Sequence, residues 1–126
     1  NVCRTMEVQE ARMDIYYRMQ GKGISLEDMQ SYRSLDGASE NEHHEGLCAC
    51  EDYEDMLTYA GMWAGEEHEI VVFLGYKVGD LYDGVQVHPI RILDRMSYDE
   101  FVEREEEFLD LDALDELELL ERFGRE

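Results

Sequence analysis

Four residues near the middle of the chain carry side chains that bind metals or attack electrophiles: His43 and His44, then Cys48 and Cys50 within GLCAC. All four are legitimate zinc ligands. Their spacing argues otherwise. Structural zinc sites usually separate paired cysteines by two to four residues, whereas one intervening residue suits an extended strand. Such a strand sends Cys48 and Cys50 to one side and Leu47 and Ala49 to the other. Cysteine there behaves as a small buried hydrophobe, so LCAC is expected to be a core strand and no metal is expected. A Cys–His pair drawn from Cys48 or Cys50 with His43, His44, His68 or His88 would be a nucleophile, yet no strained turn or helix N-terminus presents either thiol. GKG at 21–23 lacks the further glycines and the Lys-Ser/Thr pair of a phosphate loop. With Cys3 the cysteines are odd in number, and Cys-x-Cys in a strand makes an awkward disulfide. Reduced thiols are expected.

The elements that would hold these residues follow from pattern. MDIYYRMQ (13–20) reads as a strand ahead of the GKG turn. Ser25 caps a short helix, LEDMQSYR, whose Glu27 and Asp28 suit the positive end of its dipole. Residues 34–46 are polar and turn-rich and read as an exposed loop. After LCAC, EDYEDMLTYAGM reads as a helix, with Tyr53, Met56, Leu57 and Ala60 on one face. EIVVFLGYKV reads as the most buried strand, DLYDG as a turn, and VQVHPIRIL as a strand kinked at Pro89. Ser97 and Glu100 form a capping box that starts a helix at Tyr98. Phe101, Val102, Phe108 and Leu109 give that helix a stripe, with an interruption at Asp110 or Asp112. A second helix carries Leu114, Leu117, Leu120 and Phe123. The expected fold is α+β: a small mixed or antiparallel sheet with packed helices. Residues 1–97 form the core, and 98–126 form an acidic helical segment packed on the same domain.

At 126 residues the chain has room for one such domain. Its longest apolar run, IVVFLGY, is far short of a membrane span. No basic n-region followed by an apolar stretch opens the chain, which fits a cytoplasmic protein or one whose leader lies outside this sequence.

The order YYRMQGKGIS, GLCACEDYEDMLTYA, EIVVFLGYKV, DGVQVHPIRIL resembles small ADP-ribosyltransferase-type domains over about residues 13–94. The resemblance implies an early strand carrying Arg, here Arg18, and a second strand leading into a helix. It also implies a late strand carrying the catalytic Glu. Cys48 and Cys50 stand where the family has Ser or Thr, and Gln86 where it has Glu. Two of the three positions therefore depart from the pattern, and the enzyme implied is a degenerate one.

Charge dominates the composition. Thirty-two acids face eleven bases, a net of −21. Residues 1–33 are balanced, with five of each; residues 34–76 hold eleven acids and no Lys or Arg; residues 98–126 hold thirteen acids and three Arg. Such a chain repels nucleic acid and anionic membrane and attracts basic protein surfaces. Were residues 98–126 wholly helical, they would span about 43 Å and carry roughly one net charge per 4 Å. That is near the ~3.4 Å per charge of a single DNA strand. Glu103, Glu106, Glu107 and Asp110, at i, i+3, i+4 and i+7, would form a ridge, extended by Asp115, Glu116 and Glu118. Glu51, Asp52, Glu54 and Asp55 would form a second patch.

This composition resembles that of phage and plasmid anti-restriction and anti-CRISPR inhibitors, which occupy basic nucleic-acid-binding grooves. It also resembles proteins of halophilic archaea and their viruses, given two Lys beside nine Arg. Just six Ala departs from the habit of those proteomes. The expectation is a non-enzymatic acidic interaction protein, a nucleic-acid mimic or inhibitor with no cofactor, acting in the cytoplasm (the host's, if the chain is viral). Salt adaptation and the degenerate enzyme stand as alternatives.

Overall fold

The computed structural model describes residues 13–31, 46–81 and 84–123. Strands β1 (Met13–Gly21), β2 (Leu47–Ala49), β3 (His68–Leu81) and β4 (Gly84–Met96) form one antiparallel sheet in the order β1-β3-β4-β2. Among the described residues five helices accompany them: α1 (Leu26–Gln30), α2 (Tyr53–Trp63), α3 (Tyr98–Glu103), α4 (Glu105–Asp112) and α5 (Glu116–Phe123). The architecture is α+β, as the pattern predicts.

The sheet is curled. Its two edge strands meet where Tyr17 and Cys50 exchange backbone hydrogen bonds of 3.1 and 2.8 Å. Three register shifts between β3 and β4 allow the curl, since a bulge bends its strand and tightens the twist. One shift puts Pro89 opposite Gly75, realising the kink predicted at Pro89. A Cβ on Gly75 would stand 2.4 Å from Val87 Cγ1 and 2.7 Å from the His88 carbonyl, so only glycine fits.

Alternation along the strands separates two apolar clusters. Tyr16, Leu47, Ala49, Val71, Phe73, Val85 and Val87 share one cluster, completed by Met29 of α1. Met13, Ile15, Tyr17, Ile70, Val72, Leu74 and Met96 share the other, which Tyr53, Met56 and Ala60 of α2 cover together with Phe101, Phe108, Leu111 and Leu119. Leu47 and Ala49 thus face away from Cys50, which packs on the second cluster, as the strand reading of LCAC requires.

Side chains cap the helices where the sequence places them. The Ser25 hydroxyl accepts from Asp28 N–H at 3.1 Å, the Asp52 carboxylate from Asp55 N–H at 2.8 Å, and the Ser97 hydroxyl from Glu100 N–H at 3.2 Å. At α5 the box is reciprocal: Asp115 accepts from Glu118 N–H at 2.9 Å, and Glu118 from Asp115 N–H at 3.1 Å.

Several boundaries differ from the pattern. α1 stops at Gln30 because Ser31 folds back, its hydroxyl and N–H both donating to the Asp28 carbonyl. β3 continues through Asp80 and Leu81 and β4 begins at Gly84, so both ends of DLYDG belong to strands.

The acidic segment is not one rod. It breaks at Arg104 and again after Asp112, not at Asp110. Phe101 and Phe108, seven residues apart, would lie about 10 Å apart along a straight helix. The break at Arg104 brings their ring centroids to 5.2 Å, stacked on each other and packed against Tyr17 and Tyr53. Val102 and Leu109, expected in the stripe, are exposed instead. In α5 the buried residue is Leu119, while Leu117 is 67% exposed and Leu120 is exposed as well. Leu114 and Phe123 pack partly against the core.

Candidate functional site

Two acidic segments, far apart in sequence, are joined by one carboxylate. Asp112, at the end of α4, accepts from the Tyr17 hydroxyl at 2.6 Å and from the Tyr53 backbone N–H at 2.8 Å. The first bond ties α4 to β1 and the second ties it to the start of α2. Burial raises the Asp112 carboxyl above the ordinary carboxylate range, and the nearby Asp52 and Asp14 add to the rise against the two hydrogen bonds that lower it. The same burial, with the Asp112 hydrogen bond, pushes the Tyr17 phenol well upward. The acidic start of α2 therefore sits against the acidic α3–α4 segment.

The expected surface acids divide by what holds them. Glu107 lies in a two-pronged pair with Arg104, with Nε–Oε1 at 2.9 Å and a second N–O contact at 2.8 Å. Arg104 also reaches Asp94 at 2.9 Å and Glu100 at 3.1 Å. Glu107 is accordingly held below the usual carboxylate range by Arg104. Glu51 lies 3.6 Å from Lys77. Asp52, Asp115 and Glu118 are engaged as helix caps, and Glu116 is half-buried. Glu54, Asp55, Glu103, Glu106 and Asp110 are exposed, with no ion pair among the described residues. Of the acids expected at the surface, those five face outward without a partner of this kind, beside further exposed acids such as Glu66, Glu67, Asp99, Glu105 and Glu121.

Lys22, Lys77 and Arg122 are exposed, whereas Arg91, Arg95 and Arg104 are half-buried and bonded to other parts of the fold. Arg91 donates to the Phe123 carbonyl at 2.6 Å, fastening the end of α5 to β4. Arg95 pairs with Glu69 at 2.6 Å and donates to the Ile24 carbonyl. Lys77 pairs with Asp80 at 2.7 Å. Arg91 and Arg95 tie elements together, and the exposed acids far outnumber the exposed bases Lys22, Lys77 and Arg122.

A cavity of about 160 Å³ lies at the seam where β1 and β2 meet, beneath α2, and Arg18, Cys48, Cys50, Met56 and Tyr59 line it. Arg18 donates from Nε to the Gln20 side-chain oxygen and from its terminal nitrogen to the Cys48 carbonyl, both at 2.8 Å. Cys48 stands opposite Gln86 in the β2–β4 register, and Gln86 is buried. The strand order thus gathers Arg18, Cys48 and Gln86 into one neighbourhood. His43 and His44 lie outside the described residues. Among the described residues, no group of three or more His, Cys, Asp or Glu is arranged to hold a metal, and no helix is long and apolar enough to cross a membrane.

Two determinants are invisible to pattern reading. Asp112 reads as a helix breaker, and its role depends on Tyr17 and Tyr53, respectively 95 and 59 residues away. Arg104 reads as one base among acids. Its only local signal is that Glu100 and Glu107 stand four and three residues from it.

No family model, curated protein or solved structure matches this chain.

Proposed function

We propose that this chain is a non-enzymatic acidic interaction protein that docks on a basic surface of a partner protein, of the kind that otherwise holds nucleic acid. The observation that carries the reading is the segregation of charge. Arg91, Arg95 and Arg104 are bonded within the fold and Lys77 is paired at the surface, while Glu54, Asp55, Glu103, Glu106 and Asp110 face solvent with no ion pair among the described residues; the other exposed bases there are Lys22 and Arg122. Carboxylates arranged this way steer a basic partner into contact and repel nucleic acid itself. The break at Arg104 makes the surface two short helical faces rather than a rod. It suits a groove on a partner better than a long stretch of duplex path.

The test is competition. A basic DNA-binding protein is loaded with a fluorescent oligonucleotide, the chain is titrated in, and displacement is followed by anisotropy at two salt concentrations. Displacement that weakens with salt is expected, together with its loss in Glu103→Lys/Glu106→Lys/Asp110→Lys. An unchanged titration in that triple variant would sink the proposal. Glu107 is left intact because reversing it would also unmake the Arg104 network.

A further inference from the structure

The acidic surface borders an apolar feature that charge alone does not explain. Tyr59, Met62 and Trp63 of α2 are 44%, 67% and 61% exposed. They fall at i, i+3 and i+4, so they share one flank of the helix, beside the face that buries Met56 and Ala60. Among residues 51–67 there are six acids, Glu51, Asp52, Glu54, Asp55, Glu66 and Glu67, and no Lys or Arg. The stripe is therefore an aromatic and thioether patch flanked along its own helix by acids alone, with Arg18 in the lining of the adjoining cavity and Lys22 beside Glu66 as the bases that the fold brings near. Trp and Tyr are the residue types enriched at binding hot spots, and Met adapts its shape to a partner.

The stripe leads into the seam cavity. Tyr59 belongs to both: it is exposed on the stripe and lines the cavity with Met19, Cys50 and Met56. A cavity of about 160 Å³ compares with the roughly 150 Å³ hollow that accepts a benzene ring. One side chain of Leu, Met or Phe size fits that space.

We infer that the α2 flank is a docking site for a Lys/Arg-rich protein segment carrying an apolar anchor. The anchor enters the seam cavity past Tyr59, its apolar neighbours cover Met62 and Trp63, and its basic residues face Asp55, Glu66 and Glu67. Charge complementarity selects this occupant: a second copy of this chain would bring acids against acids, and an acidic or neutral peptide would leave the frame unmatched. The inference rests on the basic-partner reading above and adds an apolar component to it.

Trp63 is the single tryptophan of the chain and reports directly. Its emission is followed while two synthetic peptides of equal positive charge are titrated, one alternating Lys and Leu in an amphipathic pattern, the other with Ser in place of Leu. The Lys/Leu peptide is expected to shift the emission to the blue and bind at least tenfold more tightly. Tyr59→Ser/Met62→Ser should reduce that preference about tenfold while leaving the Lys/Ser peptide unaffected. Both changes are at exposed positions, and a circular-dichroism melt verifies that the variant folds. Equal binding of the two peptides, or a preference that survives in the double variant, overturns the apolar site and leaves the basic-partner reading standing. Failure of both peptides to bind at low salt overturns both readings.

Discussion

Asp112 and Tyr53 are bonded across 59 residues of sequence, carboxylate oxygen to backbone N–H at 2.8 Å, while the other oxygen of Asp112 holds the Tyr17 hydroxyl at 2.6 Å. A helix N-terminus has unsatisfied N–H groups. Here the start of α2 is capped twice, by its own Asp52 and by a carboxylate from the far end of the chain. Removing that carboxylate leaves a helix N–H without its side-chain acceptor and a buried phenol with only the Phe108 carbonyl, 3.5 Å away. Asp112→Ala should cost roughly 1–3 kcal/mol, the usual penalty for stranding buried donors. Asp112→Asn should cost less, because its amide can donate to the Tyr17 oxygen while its carbonyl still accepts from Tyr53. Urea unfolding of the three proteins checks the order.

The same pair sets a pH dependence. The native Asp112 carboxyl titrates above its ordinary range, chiefly through burial. Just above that range the native state holds a proton that the unfolded chain has lost, so this group's contribution falls as pH rises through its native pKa. Asp112→Asn cannot titrate. The stability difference, wild type minus Asp112→Asn, should therefore be largest in acid and shrink as pH climbs out of the carboxylate range. A difference that grows with pH would mean that the two hydrogen bonds outweigh burial.

What the sequence made legible was local. β1, LCAC, the helix caps at Ser25 and Ser97, and the α2 face of Tyr53, Met56 and Ala60 are set by neighbours within a few residues, and the fold bears them out. The acidic segment was less legible because its apolar residues fit more than one period. Leu114, Leu117, Leu119, Leu120 and Phe123 offer two overlapping stripes, and packing chose Leu119. The break at Arg104 follows from Phe101 and Phe108 both reaching Tyr53, a demand that no window of local sequence contains. Long-range partners of this kind also divided the expected acids. Glu107 looked like ridge and is half of an ion pair.

Arg104 bears on both the break and the charge. It sits between α3 and α4, contacts Asp94, Glu100 and Glu107, and stacks its guanidinium 4.9 Å from the Phe108 ring centre. Arg104→Met keeps much of the stem's packing and leaves three carboxylates facing one another. Its expected cost is about 1 kcal/mol at low salt, the upper end for exposed pairs because several share one cation. Added salt should recover part of it by screening the repulsion. Glu107 is held below its ordinary range by Arg104. Its contribution is therefore present above the unfolded pKa and is lost as pH falls through the native one. The gap between wild type and Arg104→Met should narrow in acid, as thermal melts across pH would show.

A circular-dichroism melt at low salt and again in molar KCl separates the two explanations of the charge. Net repulsion at −21 opposes compaction at low salt. The fold answers it locally: Arg104 gathers three carboxylates, Arg95 holds Glu69, Lys77 bridges Glu51 and Asp80, and Asp112 is satisfied by two donors. A cooperative transition at low salt is therefore expected, with a melting temperature that rises modestly in KCl. That result would leave Glu54, Asp55, Glu103, Glu106 and Asp110 as charge not required for survival in brine, and would direct attention to basic partners. A chain that is unfolded at low salt and folds only in KCl would assign the acids to habitat. The binding chemistry would then have to be sought in the Tyr59–Met62–Trp63 flank and the seam cavity, where apolar contact would persist under screening.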